Sequence, residues 1–226
     1  MALFALGDLH LGRDMSLFGL EWENHEQKIV EEWEKAVRPQ DTVYLLGDLS
    51  WAMHLEEALP YLRLLKSLPG RKRLLKGNHD YWWSTEKKMR EAILDEDFAL
   101  LKPEVAEGWA ICGTRGWLVP GHPLFNPEKD ERVYRREALR LERALQELVR
   151  IRRGTEPIIV MLHFPPALPE EPSAFIELMI KYCVHRCYYA HLHGQDRLKA
   201  LEGSHWGIEF NLVSGDHLSF RPARLN

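Results

Sequence analysis

Ala2-Leu3-Phe4-Ala5-Leu6-Gly7-Asp8-Leu9-His10 is an apolar run that stops on a glycine and then offers two metal-binding side chains. An apolar run this short predicts a buried strand over residues 2–7. Side-chain direction along an extended chain has period two, so Asp8 and His10 point the same way. The same pattern recurs downstream. Residues 42–47 read as a strand ending in Gly47-Asp48, and residues 72–76 as one ending in Gly77-Asn78-His79-Asp80. Residues 157–162 (PIIVML) end in His163, and residues 186–190 end in His191-Leu192-His193. Five strands thus terminate in Asp, Asn or His. Sites in α/β sheets lie beyond the carboxyl ends of the strands, so these five ends are expected to converge.

Between the strands lie amphipathic stretches, which predict an α/β layer architecture. Helices are expected over residues 24–38, 55–67, 84–94, 130–152 and 173–182. In the first, Asn24 is the expected N-cap, and Ile29, Val30, Trp33 and Val37 share a face. In the long fourth helix Leu139, Leu145, Leu148 and Val149 are expected to face inward, with Gly154 as the residue just past its end. Further strands are expected over 98–101 and 108–113, and a loop over the proline-rich 118–128. Residues 206–213 and 217–220 read as a closing hairpin around Ser214-Gly215-Asp216. No repeat or linker divides the chain, so residues 1–226 read as a single domain.

Composition excludes several classes. A hydrophobic fraction of 45% with 28% charged residues describes an ordinary globular chain. The formal net charge of −4 does not suggest a nucleic-acid or membrane-surface partner. No apolar run is long enough to insert in a membrane, and the start lacks a signal peptide's basic region, so the expected compartment is the cytoplasm. Three cysteines, Cys112, Cys183 and Cys187, make no disulfide framework, and they read as small apolar residues.

The ligand types mix imidazole, carboxylate and amide oxygen without thiolate. That set suits two divalent or trivalent transition-metal ions, with manganese, iron or zinc favoured over calcium or a structural zinc. Gly7, Gly47 and Gly77 precede ligands at points where the chain must turn without a side chain in the way.

The motifs Asp8-Leu9-His10, Gly47-Asp48, Gly77-Asn78-His79-Asp80, His163 and His191-Leu192-His193 together resemble the calcineurin-like metallophosphoesterase superfamily. The resemblance implies a four-layer αββα sandwich of two mixed β-sheets flanked by helices. It also implies that Asp8, His10 and His193 hold one metal, that Asn78, His163 and His191 hold the other, and that Asp48 bridges them. The expected reaction is hydrolysis of a phosphate ester by a hydroxide shared between the metals. His79 is expected to protonate the leaving group or stabilise its charge, with Asp80 orienting the imidazole. Two departures matter. The superfamily's Gly-Asp-x-x-Asp-Arg pattern appears as Gly47-Asp48-Leu49-Ser50-Trp51-Ala52, without the second Asp or the Arg, and the usual Gly before the last His-x-His is Ala190.

The substrate is less legible. A small phosphorylated molecule is the expected partner, and the missing Arg leans the reading toward a phosphodiester or nucleotide-like substrate. Trp51, Tyr81, Trp82, Trp83 and Trp117 read either as loop packing, the favoured view for the tryptophans, or as a cleft for a nucleobase or acyl group. Arg115, and Asn78 beside its ligand role, are candidate substrate-binding residues. His54 reads as a surface residue rather than a neighbour of the ligands. One alternative is a DNA or RNA nuclease of the same superfamily. It is less favoured because the charge is not basic and few residues follow the last ligands. A non-catalytic scaffold is a second alternative, disfavoured because the ligands and His79 are all present. An unrelated α/β domain with scattered histidines is the third; it requires the five strand ends to lie far apart.

Overall fold

A computed structural model describes residues 1–169 and 171–226. β1 (Leu3–Leu6), β2 (Thr42–Leu46), β3 (Arg71–Leu75) and β4 (Phe98–Leu100) run parallel in one sheet. β5 (Glu104–Ala106) crosses to a second sheet, where β6 (Trp109–Thr114), β7 (Ile158–Leu162), β8 (Val184–Tyr189) and β10 (Ile208–Leu212) run parallel. β5 and β9 (Gly203–His205) close that sheet as antiparallel edges, and β11 (Ala223–Arg224) closes the first sheet beside β1. Both sheets are therefore mixed. α1 (His25–Ala36), α2 (Leu55–Ser67) and α3 (Glu86–Ala92) cover the first, and α4 (Pro127–Ile151) and α5 (Ala174–Lys181) cover the second. The result is the expected αββα sandwich.

The strand period explains the layering. Along β1, Phe4 and Leu6 join the core under the helices, while Leu3 and Ala5 join the core between the sheets. Along β7, Ile158, Val160 and Leu162 face α4 and α5, while Ile159 and Met161 face the other sheet. Both faces of β1, β2 and β7 are buried, which is why the sequence showed unbroken apolar runs there rather than alternation. The sheets touch near the ligands, where Gly7 bridges Ser214 and its N–H donates to the Val213 carbonyl at 2.8 Å. A methyl group on Gly7 would lie 2.5 Å from the Ala190 Cβ.

Five expectations are corrected. Residues 217–220 form a turn, not a strand. The closing hairpin is β9–β10, turning through Trp206 at φ 50° and Gly207 at φ 77°, the two left-handed positions of a tight hairpin loop. A bulky Trp at such a position gave no turn signal. In α4 the buried stripe is Tyr134, Glu137, Leu141, Leu145 and Leu148. That register leaves Leu139 at 55% and Val149 at 41% exposure, outside the stripe. Asn126 caps this helix through its side chain, with Pro127 in the first turn, so α4 starts earlier than expected. Gly154 is not in the left-handed conformation; its N–H donates to Glu156 at 2.9 Å. Asn24 does precede α1, but its side chain accepts no capping bond.

The two leucines of α4 separate burial from composition. Leu145→Ala should cost about 2–5 kcal/mol in urea unfolding, the range for a filled core site. Leu139→Ala should cost within about 0.5 kcal/mol, as an exposed site does. Equal losses for the two would mean that α4 sits in a different register.

Candidate metal centre

The expected ligands come together at one edge of the sandwich. Two groups have ligand atoms close enough to share an ion: Asp8, His10 and His193, and Asp48, His163 and His191. The two groups meet at Asp48, whose Oδ2 lies 4.0 Å from His10 Nε2 and 3.5 Å from His163 Nε2. Asn78 Oδ1 is 2.7 Å from His163 Nε2. His10 Nε2 and His193 Nε2 are 3.0 Å apart, and His193 Nε2 is 3.6 Å from Asp8 Oδ1.

The backbone accepts strain to present these groups. Asp8 (φ 57°), His10 (φ 46°), Asp48 (φ 53°) and His191 (φ 77°) are all left-handed. Such conformations are unfavourable for residues with a Cβ and persist where the surroundings over-determine them. Two glycines make room. A Cβ on Gly77 would lie 2.3 Å from the Asp48 backbone nitrogen, and one on Gly47 would lie 2.8 Å from His163 Nδ1.

The donor arrangement fits cations. His163 is buried, which lowers its pKa to about 3 and keeps the ring neutral. Its one N–H, on Nδ1, is used on the Leu46 carbonyl at 2.8 Å. Nε2 therefore presents a lone pair toward two further acceptors, Asn78 Oδ1 and Asp48 Oδ2. Asp8 Oδ1 and Asp48 Oδ2 are buried and have no hydrogen-bond partner among the described residues. Buried unpaired carboxylate oxygens cost several kcal/mol, so acceptors facing one another without a donor indicate a positive ion. Without it, burial pushes the Asp8 carboxyl up to about 7 and raises that of Asp48, while burial holds His10 and His191 below the usual histidine range. Burial also opposes the charged form of His193, but Asp8 and Asp216 outweigh it and raise that ring's pKa.

His79 stands beside the ligands. Its ring stacks on Trp51 at 3.9 Å between centroids and 26° between planes. Burial lowers its pKa, partly offset by Asp48. The Trp51 indole N–H donates to His10 Nδ1 at 2.7 Å, so Trp51 fixes both rings. Trp82 is buried in the core under the helices of the first sheet, and Trp83 is half-buried against that core.

Asp80 differs from expectation. Its carboxylate accepts N–H bonds from Gly77 (2.8 Å), Asp48 (2.9 Å), Leu49 (2.8 Å) and Ser50 (3.3 Å), and the Trp82 indole at 3.1 Å. Among the described residues no bond joins it to the His79 ring. It ties the Asp48 loop to the Asn78 loop rather than orienting the imidazole. Arg115 lies behind His163, its carbonyl accepting the His163 N–H at 3.1 Å. Its guanidinium stacks 4.5 Å from Trp117 and pairs with buried Glu137 at 3.8 Å. His54 is exposed and caps α2.

Two residues emerge that the sequence did not single out. Asp216 is buried and its Oδ1 lies 3.5 Å from His193 Nδ1, the carboxylate–imidazole arrangement that orients a metal-binding histidine. Arg13 places its guanidinium 4.1 Å over Trp51. Asp216 sat inside a misread hairpin, and Arg13 lies just past Asp8-x-His10 with no motif of its own.

Comparison with known proteins places this geometry. Residues 1–198 match the family model described as calcineurin-like phosphoesterase. The Gene 66 protein of Mycobacterium phage D29 is 37% identical over 75 residues, covering 32% of this chain and 37% of that protein. The Gene 66 protein of Mycobacterium phage L5 is 38% identical over 77 residues, with the same coverage of 32% and 37%. The match thus spans little more than a third of these curated relatives. Among solved structures, the fold is similar to a protein of unknown function from Aquifex aeolicus (TM-score 0.52, 20% identity, 99% of this chain and 95% of that one). It is also similar to the phosphopantetheinyl hydrolase of Mycobacterium tuberculosis (TM-score 0.55, 15% identity, 99% and 95%).

The raised Asp8 carboxyl has a measurable consequence. Below about 7 the metal-free site holds a proton on Asp8, and an incoming cation must displace it. Apparent manganese affinity, measured by titration calorimetry, should therefore fall at least about tenfold per pH unit as pH drops below that point, with the Asp8 proton released on binding and the proton favoured on His193 adding to the slope. An affinity that is flat from pH 5 to 8 would contradict the picture of a protonated, buried Asp8.

Proposed function

Because the chain belongs to the calcineurin-like phosphoesterase family, we propose that it hydrolyses a phosphate ester at a two-metal centre held by Asp8, His10, Asp48, Asn78, His163, His191 and His193. The observation that carries this reading is the pair of orphaned buried oxygens, Asp8 Oδ1 and Asp48 Oδ2, facing imidazole nitrogens of the histidines expected to share their metals. Asp8, His10 and His193 would hold one ion, Asn78, His163 and His191 the other, and Asp48 would lie between them. Manganese, iron or zinc suits this oxygen and imidazole set. When bound, such ions offset charge on phosphoryl oxygens and acidify water.

The chain's own residues supply the rest. His79, held flat against Trp51, is positioned to donate a hydrogen bond to the leaving oxygen or to a phosphoryl oxygen. Its lowered pKa means that at neutral pH it acts chiefly through a neutral ring N–H. Arg13, whose guanidinium lies 4.1 Å over Trp51, brings a cation near His79 in a chain that lacks the family pattern's Arg, a second contact for phosphate. Arg115, paired with Glu137, supports His163 from behind. Asp80 is a positioning residue for the Asp48 loop. The likeness to a phosphopantetheinyl hydrolase supports phosphate-ester chemistry on this fold, but at 15% identity it does not carry that enzyme's substrate. The binding-scaffold alternative is weakened because all seven candidate ligands converge.

The test is hydrolysis of p-nitrophenyl phosphate and bis-p-nitrophenyl phosphate with added manganese, with metal content measured on the same sample. His79→Ala should retain both metals and lose roughly 10²–10⁴ in kcat. A fully active His79→Ala protein would remove the assigned role, and no turnover of either ester in metal-loaded protein would remove the reading.

A further inference from the structure

A cleft of about 630 Å³ opens beside the metal centre, with His191 in its wall. That volume falls in the range that encloses a small organic ligand. One wall is the proline-rich loop, with Leu118, Val119 and Leu124. The facing wall is the segment after His163, with Ala167 and Leu168, and Leu192 continues the surface from His191. Among the described residues the lining contains no Phe, Tyr or Trp. The charged groups there, Asp196 and Lys199, pair with each other at 2.7 Å and leave no unmatched charge for a ligand. A larger cleft of about 700 Å³ is lined by Arg13, Asp14, Glu23 and Glu26 and includes none of the candidate ligands.

We infer that this cleft holds the organic part of the substrate, and that this part is an aliphatic chain rather than a nucleobase. The inference rests on the proposed phosphoesterase reading. His191 belongs to the second ligand group and lines the cleft, so a phosphate on the metals would hand its ester chain directly into it. A nucleobase needs an aromatic face to stack on or polar edges to pair with, and besides the candidate ligand His191 this lining offers only the His122 ring, whose Nδ1 already accepts the Leu124 N–H at 3.1 Å, and the self-paired Asp196 and Lys199. Apolar side chains on both walls instead reward each methylene removed from water. The weak sequence-based lean toward a nucleotide-like substrate is thereby replaced by a phosphate ester of an aliphatic alcohol.

The probe is a series of n-alkylphosphonates of two to eight carbons, which bind as phosphate analogues and are not hydrolysed. Calorimetry on the manganese-loaded protein should show Kd falling about three- to fourfold per methylene until the cleft is filled. Leu168→Asp should flatten that slope. So should Leu124→Asp, whose site is 74% exposed and tolerates a charge without unfolding. A Kd independent of chain length, no binding at all, or an unchanged slope in both variants would overturn the inference. Phosphate release from the matching alkyl phosphates separates the two readings. A steep phosphonate slope without any hydrolysis would refute the phosphoesterase and leave the aliphatic cleft standing. Hydrolysis with a flat slope would do the reverse.

Discussion

Lone pairs without donors are the constraint on which the rest of this structure depends. His163 Nε2, Asn78 Oδ1, Asp48 Oδ2 and Asp8 Oδ1 point toward a common region, and no N–H among the described residues answers the two carboxylate oxygens. Holding such groups together in a dry interior is unfavourable on every count: desolvation, repulsion and backbone strain at four of the ligands. Hydrophobic layers on both sides of two sheets supply the opposing free energy. The apolar strands are thus the scaffold that lets four left-handed residues and several buried charges persist at their carboxyl ends.

Asp80 shows how that strain is contained. One carboxylate collects backbone N–H groups from both the Asp48 and Asn78 loops, and so locks two strand ends from different βα units into one piece. Burial pushes its carboxyl up to about 7, with Asp48 adding to the shift, and the bonds from Gly77, Leu49 and Ser50 work against it. Trp51 plays the matching role for the rings, bonded to His10 and stacked on His79. Asp80 and Trp51 are thus shared supports, each touching more than one strand end or ring of the centre.

Much of this was legible in the sequence, for reasons specific to particular residues. Strand ends at Asp8, Asp48, Asn78, His163 and His191 were readable because apolar runs end abruptly on polar ligand types, and parallel sheets gather such ends on one edge. The misreadings have two causes: some concern contacts between segments distant in sequence, and others concern caps and turns whose local geometry the residue types did not announce. Leu139 is as apolar as Leu145, and only the packing of α4 against β6 and α5 decides which one faces inward. Residues 217–220 look like a strand, yet the partner strand was already paired with β8 and β9. Asp80 sits next to His79 in sequence, which suggested a pairing that the turn geometry sends elsewhere. Asp216 approaches His193 only through the fold, so no spacing announced it.

The contact between Gly7 and Ala190 has a consequence for how this chain can vary. The two sheets leave space there for one methyl group, since a second would lie 2.5 Å from the first. The two positions share a single slot. A methyl can sit on residue 190, as here, or on residue 7 with glycine at 190, but not on both without prising the sheets apart at the edge that carries Asp8 and His191. Substitution at either position is therefore conditional on the other, and a change that is harmful alone becomes tolerable when its partner changes with it.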